Sequence, residues 1–125
     1  MAEVLCVGEA LVDRPEQPEG DRLGGAPANV ACALARPGTP SAFLGRLGRD
    51  PTGEALAALM SARGVDGSAI QWDGQRPSRI VLVRRDPTGE RCCAGFAGDR
   101  GLGFADQALD PAELDACLPR LSKPG

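Results

Sequence analysis

The sequence predicts an α/β fold, and three observations carry that prediction. Short, continuously apolar runs stop at glycine, helix-forming segments opened by proline lie between them, and a β-prone pair flanks a Pro/Gly turn further along. Strands covered on both faces read as unbroken apolar runs, and the order strand, helix, strand is the signature of a sheet with helices packed on it.

The first strand is predicted at Val4-Leu5-Cys6-Val7, stopped by Gly8, with Ala10-Leu11-Val12 extending it beyond the glycine. Residues 14–23 are polar and hold Pro15 and Pro18, which predicts a loop or a weak excursion from the main fold. Pro27 suits a first helical position, where its missing amide proton costs nothing. The almost wholly apolar stretch from Ala28 to Arg36 predicts a helix buried against the sheet, ended by Pro37-Gly38. Ser41-Ala42-Phe43-Leu44 is the second strand, closed by Gly45. Asp50 as cap and Pro51 in the first turn open the clearest helix; Leu56, Leu59, Met60 and Arg63 recur at helical spacing and Gly64 ends it.

After residue 75 the pattern changes. Residues 79–84 and 91–94 flank Asp86-Pro87-Thr88-Gly89-Glu90, which predicts an antiparallel hairpin. Glycine-rich residues 95–106 read as a surface loop, and Asp110-Pro111-Ala112-Glu113 opens a third helix carrying Leu114, Cys117 and Leu118 on one face. Two or three strands with an uncovered edge are expected of one portion of a larger domain.

The composition narrows the function. Apolar residues make up 42% and charged residues 25% of 125, a globular balance, although 17 glycines, 11 prolines and 3% aromatics leave a core built of small aliphatic groups. The net charge of −3 is spread along the chain, so no basic stripe favours nucleic acid. No apolar run reaches the length of a membrane span, and the start Met1-Ala2-Glu3-Val4 lacks secretory-signal features, so a cytoplasmic protein is expected. Five cysteines (Cys6, Cys32, Cys92, Cys93, Cys117) with no C-x-x-C pair and no histidine favour buried free thiols over a zinc site.

The sharpest local feature is Gly24-Gly25-Ala26-Pro27-Ala28-Asn29. Paired glycines permit a tight bend and a close backbone approach, the helix behind them offers free amide protons, and Asn29 can both donate to and accept from a hydroxyl. A turn that only starts a helix and a ligand site are both open readings of it. Asp13, just past the first strand, lies where α/β proteins bind ligands, yet it also suits an ordinary turn. Neither a G-x-G-x-x-G dinucleotide fingerprint nor a G-x-x-x-x-G-K-[ST] phosphate loop is present.

In sequence order, residues 7–13 (Val-Gly-Glu-Ala-Leu-Val-Asp), Gly24 to Ala31, residues 43–50 with Gly53, Gly64-Val65-Asp66, and the hairpin with Gly89-Glu90-Arg91 resemble the amino-terminal half of the ribokinase-like, or PfkB-type, carbohydrate kinases, fructokinases above all. The resemblance covers residues 3–94 and implies a partial ribokinase-like three-layer sandwich, with residues 1–125 forming an incomplete amino-terminal portion of the domain. A small β lid is expected at about residues 12–23 and 78–95. By the same resemblance, Asp13, Gly24, Gly25 and Asn29 are the expected sugar-binding residues, ATP and Mg2+ the cofactors, a sugar the ligand, and a lid-mediated homodimer a possible assembly. The implied reaction is phosphoryl transfer from ATP to a sugar hydroxyl, with no catalytic residue assigned to this chain, because the family's Gly-Ala-Gly-Asp type motif is absent and Gly98-Asp99 lies in the wrong region. Ser78-Arg79 stands where the family commonly has a threonine and a small or apolar residue. A non-catalytic sugar-binding or interaction module and an inactive truncated remnant are the alternatives.

Overall fold

A computed structural model of the protein describes residues 4–15, 20–99 and 101–113. The chain runs β1 (Val4–Val7), β2 (Leu11–Pro15), β3 (Arg22–Gly24), α1 (Ala26–Ala35), β4 (Ser41–Leu44), β5 (Arg46–Gly48), α2 (Pro51–Ala62), β6 (Gln71–Asp73), β7 (Ile80–Arg85), β8 (Arg91–Ala97) and a short 3-10 helix (Ala105–Ala108).

β1 pairs in parallel with β4, and β5 pairs in parallel with β6. β4 and β5 follow one another through Gly45, so the two pairs join end to end into one parallel layer. The backbone of Asp66 extends that layer beyond β4, its amide bonding the Ser41 carbonyl at 2.9 Å. β4 explains why its sequence is unbroken in apolarity: all four residues are buried. Phe43 enters a cluster with Cys6, Ala28, Ala31, Cys32, Leu56 and Met60, which draws in both helices. Its neighbours Ala42 and Leu44 join Ala69 in a second cluster, flanked by Leu5 and Leu109. Alternation along one strand thus feeds two clusters, and the layer is covered from both sides.

The second sheet has the order β3-β2-β7-β8. β2 runs antiparallel to β3 and parallel to β7, while β7 and β8 form the expected hairpin with a bulge at Leu82/Val83. The Asp86 carboxylate closes the hairpin turn by accepting from the amides of Thr88 (2.9 Å) and Glu90 (3.0 Å).

The first two predicted helices form. α2 is capped by Asp50, whose Oδ1 accepts from the Gly53 amide at 2.7 Å. The other carboxylate oxygen accepts from the Ser78 amide at 2.9 Å, and the Ser78 hydroxyl accepts from the Gly48 amide at 2.9 Å. One cap therefore fastens the start of α2, the end of β5 and the approach to β7. A Cβ at Gly53 would overlap the Gly48 carbonyl, so this helical glycine is required by packing despite its poor propensity.

Five expectations change. Ala10-Leu11-Val12 does not extend β1: the chain turns at Gly8 (φ +147°), and β2 joins the other sheet. Residues 14–23 supply the end of β2 and most of β3, whose pairing overrides their polar composition. α1 buries one face only, through Ala28, Ala31 and Cys32, and leaves Val30 half exposed. The 95–106 segment is not all surface loop, because β8 continues to Ala97 and Phe104 and Ala105 are buried. The thiols divide as well: Cys6 and Cys32 are buried, whereas Cys92 and Cys93 are exposed on β8. Beyond Asp110, whose carboxylate accepts from the Ala112 amide at 2.9 Å, only residues 111–113 are described as helical. Leu114, Cys117 and Leu118 lie outside the described residues.

Asp73 anchors β6. Its side chain is 3% exposed and accepts from the Arg46 Nε at 3.0 Å, the Arg76 Nη1 at 3.3 Å and the amides of Gln75 and Arg76 at 2.8 Å each. Burial alone would raise its pKa, but the amides of Arg76 and Gln75 and the two guanidiniums outweigh it and hold the carboxyl well below the usual carboxylate range. A carboxyl depressed in the folded state stabilises the fold fully above its unfolded pKa, near 4, and loses that contribution as pH falls. Asp73→Asn is expected to lower stability at pH 7 and to lack part of the wild-type loss between about pH 5 and pH 2. Urea denaturation of both proteins across that range checks it; parallel pH curves would contradict the assignment.

Candidate functional site

Register decides which side chains share a face of the second sheet. Asp13 lies beside Val81 on β7, and Val81 beside Phe96 on β8, so these three project to the same side. Leu11 and Gly24, which are partners, join them, as does Arg79, two residues before Val81 and bound through its carbonyl to the Val12 amide at 3.1 Å. Val12, Leu23 and Ile80 take the opposite face and pack on the core. The sequence alternation of β2 therefore separates a carboxylate-bearing face from a structural one.

Asp13 is partly exposed, and its Oδ2 accepts from the Arg91 Nη2 at 3.4 Å. Gly24 explains its placement. A Cβ there would lie 2.9 Å from both carboxylate oxygens and 2.5 Å from the Leu11 Cδ1. Gly25 (φ +93°) has a different neighbour, the Glu9 carbonyl, which its Cβ would meet at 2.6 Å. The diglycine bend thus lets β3 and the start of α1 close over residues 9–13, and both glycines have structural reasons to be there. Asn29 is exposed and opens onto a cavity of about 490 Å³ shared with Cys32, Ala33, Arg36 and Arg63. Asp13 does not line that cavity. Of the four residues singled out from sequence, the structure joins Asp13 to Gly24, seats Gly25 against Glu9, and gives Asn29 a separate opening.

Arg79, Asp106 and Phe104, to which the sequence assigned no ligand role, complete the face. Arg79 forms a bidentate pair with Asp106, Nε to Oδ2 at 2.7 Å and Nη2 to Oδ1 at 2.9 Å, with both side chains largely buried. Its guanidinium carbon sits 4.8 Å from the Phe96 ring centroid and 4.5 Å from that of Phe104. The bonds to Asp106 raise its pKa, with Glu9 and Asp99 adding through charge, so it stays a cation. Arg79 and Asp106 line a further cavity of about 320 Å³ with Gly8, Glu9, Leu11 and Leu109. The one available signal was Arg79 itself, a charged residue where a small or apolar one was expected.

Among the described residues no cluster of three or more His, Cys, Asp or Glu side chains can hold a metal ion, and no phosphate loop occurs in the sequence.

A parallel layer with helices on it, and a second sheet carrying a partly exposed carboxylate, define an α/β domain of the kind whose ligands bind at the carboxyl ends of strands. Residues 1–113 match the family described as "pfkB family carbohydrate kinase". The chain is 35% identical over 130 residues to "Fructokinase-2" of Solanum lycopersicum, covering 96% of this chain and 38% of that protein. It superposes on the crystal structure of fructokinase from Xylella fastidiosa with a TM-score of 0.76 at 34% identity, over 88% of this chain and 35% of that one. The crystal structure of fructokinase with bound ATP from Xylella fastidiosa gives a TM-score of 0.71 at 31% identity, over 90% of this chain and 39% of that one. The chain belongs to the pfkB family of carbohydrate kinases, with the ribokinase-like α/β fold, and spans well under half the length of these relatives.

Arg79→Met leaves the Asp106 carboxylate buried without its partner. It is expected to destabilise the protein by about 3–5 kcal/mol, as broken buried pairs do, and the double variant with Asp106→Leu to recover part of that loss. Chemical denaturation measures both; a single variant within about 0.5 kcal/mol of wild type would contradict the clasp.

Proposed function

We propose that the chain is the sugar-binding side of an ATP-dependent sugar kinase that phosphorylates a hydroxyl of a fructose-like sugar. The observation that carries the reading is Asp13, a carboxylate set against the bare Cα of Gly24 on the outward face of the second sheet. An ionised carboxylate accepts hydrogen bonds from vicinal hydroxyls, and such charge-assisted bonds are stronger than neutral ones. Arg91, only 3.4 Å away and half exposed, can yield its place to a ligand. Gly24 and Gly25 keep the backbone close on that side, whereas Asn29 opens onto a separate cavity and takes no part in this reading.

In this reading residues 12–23 and 78–95 act as a lid over the sugar, excluding water as the domain closes. Residues 1–125 contribute the substrate side of the kinase domain, and ATP with Mg2+ belongs to sequence corresponding to the rest of the relatives. The cytoplasm, where ATP is abundant, is the proposed location, and the outer edge of β8 is the proposed surface for a homodimer.

The chain by itself is expected to give no ATP-dependent phosphorylation of fructose above a no-protein control, and to bind fructose in calorimetry. Asp13→Asn is expected to weaken that binding roughly tenfold, the equivalent of one charge-assisted hydrogen bond. Unchanged affinity in the variant would remove Asp13 from the site, and turnover by the chain alone would overturn the division of labour.

A further inference from the structure

We propose that Glu9 and Arg79 form a second hydroxyl-reading pair beside Asp13, in a cavity that admits an uncharged sugar and rejects sugar phosphates and sugar acids. The inference rests on the sugar-kinase reading and adds a specificity device to it. The cavity measures about 320 Å³ and is walled by Gly8, Glu9, Leu11, Arg79, Asp106 and Leu109. It adjoins the Asp13 face directly. Leu11 is two residues before Asp13 on β2, and Arg79 is two residues before Val81, the register partner of Asp13. A ligand on Asp13 therefore extends toward Glu9 and Arg79 along one side of one sheet.

The two side chains are complementary and preorganised. Arg79 spends Nε and Nη2 on Asp106, and its Nη1 makes no hydrogen bond among the described residues. Two phenyl rings, 5.9 Å apart between centroids, fix the guanidinium plane, so little order remains to be gained on binding. Its backbone is held from both sides, by the Asp50 bond to the Ser78 amide and by the Val12 amide on its own carbonyl. Glu9 is half buried and makes no hydrogen bond among the described residues; it acts on Arg79 through charge alone. A fixed donor and an unspent acceptor thus line one cavity, the pair that a vicinal diol satisfies.

Charge excludes the alternatives. The single cation of Arg79 is opposed by Asp106, by Glu9 and, further off, by Asp99, and Asp13 is matched by Arg91. The cavity is left net negative, so a phosphate or carboxylate entering it meets repulsion and an arginine already engaged. Rejection by like charge is an effective means of discrimination.

Titration calorimetry of the chain with D-fructose, D-fructose 6-phosphate and D-gluconate tests this, with circular dichroism to verify folding. Wild type is expected to bind fructose at least roughly tenfold more tightly than either anion. Glu9→Gln keeps the shape and removes the charge; it is expected to weaken fructose binding roughly five- to tenfold and to narrow the gap to the anions. Should that variant lose its fold, Glu9→Asp, which withdraws the carboxylate by one methylene, is expected to weaken fructose in the same direction. Equal binding of fructose and the anions by wild type overturns the proposal, as does a Glu9 variant with unaltered affinities. If Asp13→Asn loses fructose while Glu9→Gln does not, this inference falls and the sugar-kinase reading stands. A wild-type chain that binds none of the three overturns both.

Discussion

Backbones meet side by side where β1 ends, and that close approach organises everything around the candidate site. A Cβ on Gly8 would lie 2.6 Å from the Pro27 ring, one on Gly25 2.6 Å from the Glu9 carbonyl, and one on Gly45 would overlap the Gly8 carbonyl. Three segments (residues 8–10, the start of α1 and the bend between β4 and β5) are thereby packed main chain to main chain. No other residue type fits such contacts without moving a neighbour. With those segments fixed, Glu9 and Asp13 both lie on the chain's route from the parallel layer into the second sheet. The site is set by where the backbone can pass.

Around that junction the charged residues divide into two kinds. Asp50 and Asp73 are consumed by the fold, each accepting from several amides or guanidiniums at once. Asp13 and Glu9 are not: one has a long, exposed contact to Arg91 and the other has no hydrogen bond among the described residues. Arg79 stands between these kinds. Its bonds to Asp106 secure the 3-10 helix to the sheet, and it also lines the cavity beside the Asp13 face. Carboxylates left unspent near a rigid cation are what a hydroxyl-rich ligand requires, whereas fully satisfied ones contribute stability only.

The sequence made the helices and the main hairpin legible because their signals are local. Asp50-Pro51 and Gly64 punctuate α2, and Asp86 to Glu90 spells out a turn whatever surrounds it. The diglycine stretch and Asp13 were legible as candidates for the same reason. Long-range pairing was not. β3 has only three residues and earns its strand state from β2, and β6 from β5, neither of which local composition reveals. The 95–106 segment hid a buried Phe104 among glycines, and with it the ring that flanks Arg79. The Arg79–Asp106 pair spans 27 residues, a separation at which spacing carries no information. Asn29, attractive for its chemistry, lies on a helix face whose orientation only the packing of Ala28, Ala31 and Cys32 determines.

A crystal structure of the chain soaked with D-fructose examines the central claim most directly, because it reads the position of the sugar itself. The account requires sugar hydroxyls within about 2.6–3.2 Å of the Asp13 carboxylate, with Arg91 displaced or sharing the contact. Sugar bound in another cavity while Asp13 keeps its arginine undisturbed would contradict it.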